Sequence, residues 1–370
     1  MRWIWEKKNW PSFYWDEVKI LTVCNKIHYQ LGILTAKCGI IDSKMSEHAE
    51  LDSLLQNILK SSEIEGESLN VESVRSSLAK RLMIKIPFKK TSALTEGVAD
   101  LQMDVFRETS RKLNLQRLYQ WHRWLFPGEE NWNILVGSFR QKNPMQIVSG
   151  RLENPTIHFV APPSKGLKKE IRSFLNWFEG SRNSIDPFVR AGVVHLWFLT
   201  IHPFEDGNGR LARILSELAL AQYEPKTIRL YSLSSAILDH RKKYYTNLEN
   251  AQRGELDITI WLVWFLKVLE YSLIKSNKNI DLILSKKRFW DIHRDKELLP
   301  EQRKILNLMI NRETDQFQDG ISASQYKKIT KVSKATATRH LTDLFKKKCL
   351  NKLPGEGRST RYILAGVFNK

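Results

Sequence analysis

The sequence predicts a mostly α-helical protein, and three observations carry that prediction. Apolar residues recur at helical spacing through most of the chain, as at Leu51, Leu54, Leu55, Ile58 and Leu59. Only Met145 to Gly150 and Thr156 to Val160 read as strands in the first 275 residues; turn-forming residues separate them and Pro162-Pro163 follows. The last 50 residues form a basic module of short helices and a second hairpin.

The elements follow in order. Trp3, Trp5, Trp10, Phe13, Tyr14 and Trp15 crowd the start, a density that reads as a packed anchor because aromatic rings bury large areas. Asp16 to Ala36 and Ser46 to Glu63 are predicted helices, with Gly66 as the stop of the second. Asn70 caps a third, which ends before Pro87. Periodicity resumes over Ala93 to Lys112 and Asn114 to Leu125. After the hairpin come helices over Leu167 to Phe178, Pro187 to Ile201, Leu211 to Tyr223 and Asp257 to Leu273. Beyond Lys275 the composition turns polar, and helices are expected over Glu301 to Met309, Ser322 to Ile329 and Lys334 to Lys347. Leu350 to Leu353 and Ser359 to Leu364 flank a Pro-Gly turn. These spans imply three domains, at 1–90, 91–275 and 290–370.

Composition narrows the function classes. With 370 residues, 42% hydrophobic and 27% charged, the chain reads as an ordinary globular protein with room for several cores. No apolar stretch approaches the roughly 20 residues of a membrane span, and the start lacks the pattern of a signal peptide. Three distant cysteines, Cys24, Cys38 and Cys349, make neither a disulfide framework nor a metal cluster. A cytoplasmic location without membrane attachment is expected. The net charge of +19 is uneven, with twelve Lys or Arg against two Asp or Glu from Ile321 onward, which points to a polyanionic partner such as DNA.

One run concentrates the chemistry: His202-Pro203-Phe204-Glu205-Asp206-Gly207-Asn208-Gly209-Arg210, then Arg213. A Gly-Asn-Gly turn entering a helix exposes backbone N–H groups at the positive end of the helix dipole, a ready anion site. Arg210 and Arg213 lie three apart on that helix and can grip successive phosphates. Asp206 is a hard oxygen ligand suited to Mg²⁺ on phosphate oxygens. His202 suits a general base at neutral pH.

The run His-Pro-Phe-x-Asp-Gly-Asn-Gly-Arg-x-x-Arg is identified as the active-site motif of the Fic family, with every defining position present. The resemblance takes in His195 to Ile201, the hairpin, which looks like the Fic flap, and Tyr244-Tyr245; the Trp-rich start resembles the domain preceding many bacterial Fic cores. It implies transfer of AMP from ATP to a Ser, Thr or Tyr hydroxyl of a target protein, or of the enzyme itself. His202 would take the hydroxyl proton and Asp206 would hold Mg²⁺. Gly207, Asn208 and Gly209 would cradle phosphates, the Asn208 side chain reaching the α-phosphate, with Arg210 on the β- and Arg213 on the γ-phosphate. Thr156, Ile157 and His158 would dock the target segment as an added strand at the ATP site, and Tyr244, Tyr245 and Gln252 would surround adenine. Members of the family also transfer phosphate, UMP or phosphocholine; the intact Gly209 and Arg213 favour AMP.

Ser61-x-x-x-Glu65-Gly66 matches the family's inhibitory motif, and Ser61 and Glu65 share a helix face. The resemblance implies a Glu65–Arg213 salt bridge that removes the γ-phosphate clamp and leaves the bound ATP misaligned. In some relatives the same glutamate serves the reverse reaction, removal of AMP. The C-terminal module resembles a winged helix-turn-helix, with Lys334, Thr336 and Arg339 at the start of its recognition helix. Such a module binds DNA, or serves homodimerisation or target docking. The alternative reading is a DNA-binding regulator whose Fic core senses nucleotide.

Overall fold

The computed structural model describes residues 3–365 apart from 42, 88, 129–132, 142–143, 151–154, 225–229, 312–316, 318 and 356. The helices are α1 (Glu17–Cys38), α2 (Ser43–Ile64), α3 (Val71–Leu82), α4 (Ala93–Arg107), α5 (Leu115–Leu125), α6 (Leu167–Gly180), α7 (Pro187–Ile201), α8 (Asn208–Ala221), α9 (Leu233–Asp239), α10 (Arg241–Arg253), α11 (Thr259–Ile292), α12 (Pro300–Asn311), α13 (Ala323–Thr330) and α14 (Lys334–Lys346). Two antiparallel hairpins complete the described structure: β1 (Gln146–Ser149) with β2 (Thr156–Val160), and β3 (Leu350–Lys352) with β4 (Tyr362–Leu364). The fold is mostly helical. It divides into two compact units, Met1–Asn277 and Lys278–Lys370. Residues 1–90 and 91–275, expected as two domains, lie together in the first unit.

The first unit is built around α7. Asp186 starts that helix by accepting from the Phe188 and Val189 amides at 2.9 and 3.3 Å, with Pro187 at the first helical position. Every residue from Phe188 to Ile201 is buried, the signature of a helix that is apolar all round and sits at a core's centre. α8 packs on it, while α2 packs on α3 and α9. The aromatic start does act as an anchor. Trp3 meets Phe159 of β2 edge-on at 5.3 Å, the Trp5 indole donates to the Val160 carbonyl at 2.7 Å, and Trp10 and Phe13 pack on Trp197.

Three boundaries differ from expectation, one of them at α11, expected to end at Leu273, which runs on to Ile292. The helix expected to reach Lys112 stops at Arg107, where Glu108 caps it and Asp104 turns inward to hold Arg117 and Trp121, both at 2.7 Å. The helix expected from Leu211 begins at Asn208, so the phosphate turn is itself the first helical turn. Periodicity missed α9 because it has only 7 residues, and α10 because it buries only Tyr244 and Gln252.

The second unit packs α12, α13, α14 and the β3–β4 hairpin around Ile305, Leu306, Ile310, Tyr326, Leu341 and Leu344. Ser322 and Ser333 cap α13 and α14 through hydroxyl acceptors, and an Ile321–Tyr362 bridge ties the chain before α13 to β4. No described helix is long and apolar enough to cross a membrane.

Candidate functional site

The loop between α7 and α8 is held by its own backbone conformation and by Arg140 and His122 from distant parts of the chain. His202 ends α7 in the left-handed region (φ 49°, ψ 60°), a conformation uncommon for a non-glycine residue and found at functional sites. Arg140, buried, grips the exit from behind, donating to the carbonyls of His202 (2.7 Å) and Pro162 (2.5 Å). Phe204 is fully buried, stacked on His122 with ring centroids 4.2 Å apart. His122 accepts the Gly137 amide at Nδ1 (3.0 Å), so its Nε2–H donates to the Asp206 carbonyl (3.2 Å). Burial pushes the His122 pKa down to about 4, which keeps this donor–acceptor arrangement intact at neutral pH.

Two glycines are required by geometry. Gly207 turns the loop into α8 at φ 77°, and a Cβ there would meet the Phe126 ring at 2.9 Å. Gly209 faces Glu65 so closely that a Cβ would overlap its carboxylate.

His202 is half-buried, and its Nδ1 lies 3.3 Å from the Leu199 carbonyl, which assigns the proton to Nδ1 and the lone pair to Nε2. Burial lowers its pKa to about 4, with Arg140 adding to the effect, so the ring is neutral at physiological pH. It lines a cavity of about 650 Å³ together with Glu65, Gly209, Tyr244, Tyr245 and Gln252. The Tyr244 ring is buried, its hydroxyl 2.9 Å from His195 Nε2, while His195 Nδ1 reaches Ser216 at 3.1 Å. Tyr245 is 41% exposed and donates to the Ile64 carbonyl at 3.1 Å.

The arginines are occupied. Arg213 has no exposed surface; its Nη2 lies 2.8 Å from Glu65, and its Nε and Nη2 donate to the Ser61 hydroxyl (2.8 Å) and carbonyl (2.9 Å). Arg210 donates to Glu67 at 2.6 Å and stacks over Phe126 at 4.8 Å. Gly66, at φ 86°, turns the chain between the two acids.

Asp206 is exposed, with one carboxylate oxygen accepting the Gly207 amide at 2.6 Å. Among the described residues no cluster of three or more His, Cys, Asp or Glu could hold a metal alone. A single carboxylate beside an anion site is nonetheless the donor set that suits Mg²⁺, which takes its remaining ligands from phosphate and water.

Several of the expected site residues already have partners within the chain. The Asn208 amide accepts the Phe204 N–H (3.0 Å) and donates to the Phe204 carbonyl (2.8 Å); it closes the loop and has at most one N–H left for an α-phosphate. Thr156 and Ile157 do not line the cavity; of the three flap residues only His158 does, tethered to Glu249 (2.9 Å) and Ser149 (2.6 Å). Arg253 donates to the Ile157 carbonyl at 2.8 Å, so one backbone acceptor of β2 already has a partner. In the second unit Lys334 and Arg339 are exposed, but the Thr336 hydroxyl lies 2.9 Å from that of Ser333 and belongs to the cap of α14.

Sequence reasoning missed Glu67, His122 and Arg140. Glu67 had a visible signal, an acid two residues beyond Glu65. A buried histidine or arginine that holds backbone carbonyls has none.

A helical scaffold, a glycine turn entering α8, a half-buried histidine and two paired arginines thus meet at one loop. Residues 112–220 match the Fic/DOC family, and this stretch of the chain is a Fic domain. Residues 3–84 match a domain of unknown function (DUF4172). The chain is 28% identical over 234 residues to the protein named protein adenylyltransferase Fic of Aedes aegypti, covering 60% of this chain and 42% of that one. It is 27% identical over 122 residues to a uridine 5'-monophosphate transferase of Xanthomonas campestris, covering 31% and 22%. Its fold is similar to that of a Fic family protein from Desulfovibrio desulfuricans, with a TM-score of 0.57 at 18% identity, covering 95% and 98%. The chain spans about two fifths or less of the curated relatives' own length.

Proposed function

We propose that this chain transfers AMP from ATP to a hydroxyl group of a protein, and that the state described is the restrained one. The observation that carries this reading is a neutral His202, its lone pair on Nε2, lining a cavity that also includes Gly209 at the start of α8. The target oxygen attacks the α-phosphorus, its proton passes to His202 Nε2, and the bond to the β-phosphate oxygen breaks to release pyrophosphate. Backbone N–H groups at the start of α8 hold phosphate oxygens. Asp206 would hold a Mg²⁺ ion, which supplies neutralising charge. Tyr244, Tyr245 and Gln252 form the wall suited to a nucleobase; a relative named for UMP transfer makes the base the point to test. The test is labelling with α-³²P-ATP and α-³²P-UTP: AMP labelling lost in His202→Ala supports the reading, and equal labelling by that variant sinks it.

A second reading concerns the Lys278–Lys370 unit. Lys334 and Arg339 stand exposed on the first half of α14, with Lys331 exposed just before it, which favours duplex DNA as a ligand of this unit. Each phosphate contact releases counterions, so Lys334→Ala or Arg339→Ala is expected to reduce the log–log salt slope by about one. An affinity that hardly changes with salt would exclude this reading.

A further inference from the structure

Glu65 and Glu67 flank Gly66 and reach different arginines of α8. Glu65 pairs with Arg213, and Glu67 Oε2 lies 2.6 Å from Arg210 Nη1. The Arg210 side chain is almost wholly buried, spread over the Phe126 ring, whereas Glu67 is 37% exposed. The segment that carries both acids is held independently of the Glu65 side chain: the Ile64 carbonyl accepts from Tyr245 at 3.1 Å, and the Glu67 amide donates to the Ser62 carbonyl at 3.0 Å. Removing the Glu65 carboxylate therefore leaves the Glu67–Arg210 pair in place.

We propose that Glu67 is a second latch, which holds Arg210 away from the β-phosphate of a nucleoside di- or triphosphate and acts separately from the pairing of Glu65 with Arg213. The proposal rests on the reading of this site as a nucleotide site. Arg210 and Arg213 stand one turn apart on α8, so two carboxylates neutralise two successive clamps. Burial and the neighbouring charges of Asp206 and Glu65 all raise the Glu67 pKa, opposed by Arg210, so this carboxylate sits among like charges and is held there by its ion pair. A nucleotide phosphate entering the site offers Arg210 a stronger, multiply charged partner.

MgADP separates the two latches, because it has a β-phosphate and no γ-phosphate. Glu67→Gln is expected to bind MgADP about three- to tenfold more tightly than wild type in calorimetric titration, the worth of an ion pair with one half-exposed partner. The gain should vanish in an Arg210→Ala background, and Glu67→Asp should return the affinity towards wild type. Unchanged or weaker MgADP binding by Glu67→Gln would overturn the latch, and so would a gain that survives Arg210→Ala, which would be a general effect of removing negative charge. If neither MgADP nor MgATP bound to any variant, both the latch and the nucleotide reading would fall. Glu67 is half-exposed and lies outside the core, so Glu67→Gln should still fold cooperatively and lose in thermal unfolding no more than the worth of that ion pair.

Discussion

Glu65 Oε1 lies 2.8 Å from Arg213 Nη2, and the same carboxylate lies over Gly209, where an added Cβ would push it aside. One acid thus pairs with Arg213 and overlies the first turn of α8, whose backbone N–H groups have no partner within the helix. Ser61 contributes more than a helix position, because its hydroxyl and carbonyl both accept from Arg213. The arginine's Nε and Nη2 thus have partners within the chain, while its buried Nη1 makes no hydrogen bond among the described residues.

Release of that contact should raise activity. Glu65→Gly is expected to increase α-³²P-ATP self-labelling by about tenfold or more, which corresponds to a coupling energy of 1–3 kcal/mol. Labelling no greater than wild type would show that Glu65 does not restrain this site.

The pH–rate profile of the Glu65→Gly protein reports on His202. Only the neutral ring accepts a proton, and burial holds its pKa near 4, so the rate should be flat in this respect from about pH 6 upward and fall on the acid side near pH 4. The sign follows from the lowered pKa: protonation becomes easier only below it. An acid limb near 6.5 would mean that His202 is solvated like a free imidazole.

Gly207→Ala tests the loop. At φ 77° with the Phe126 ring 2.9 Å from a Cβ, alanine is strained and overpacked together. The expected cost is about 2 kcal/mol in denaturant unfolding. Labelling should fall while His202 and Asp206 remain present. Stability and activity both equal to wild type would show that the turn has another conformation open to it.

Glu217, buried one turn beyond Arg213, accepts from Gln102 at 2.6 Å and has its pKa raised by burial to about 7. A carboxyl whose folded pKa exceeds its unfolded value of about 4.5 imposes no penalty below 4.5. It removes stability as the pH rises from there through 7. Glu217→Gln should therefore raise Tm at pH 8 and leave it unchanged at pH 4. A gain of equal size at both values would trace to packing instead of ionisation.

Much of this was legible in the chain. The helix starts at Asp16, Asn70, Asn114 and Ser333 were readable because capping needs only a side chain and an amide two or three residues on. The hairpins and α7 were readable for the same local reason. The helices α9 and α10 were not, since α9 has only 7 residues and α10 buries only Tyr244 and Gln252.

The sequence by itself determined which groups stand together at residues 202–213, because they are neighbours in the chain: a histidine, a carboxylate, a Gly-Asn-Gly turn and two arginines within one loop and one helix. Only the tertiary structure decided what those arginines do when no phosphate is present. The Ser61 contacts with Arg213 span 152 residues and the Glu67 contact with Arg210 spans 143, distances closed only when α2 packs beside α8. A motif in the N-terminal segment named one of those pairs. The other came from packing alone, because the partner of a buried charge is chosen by the folded surroundings.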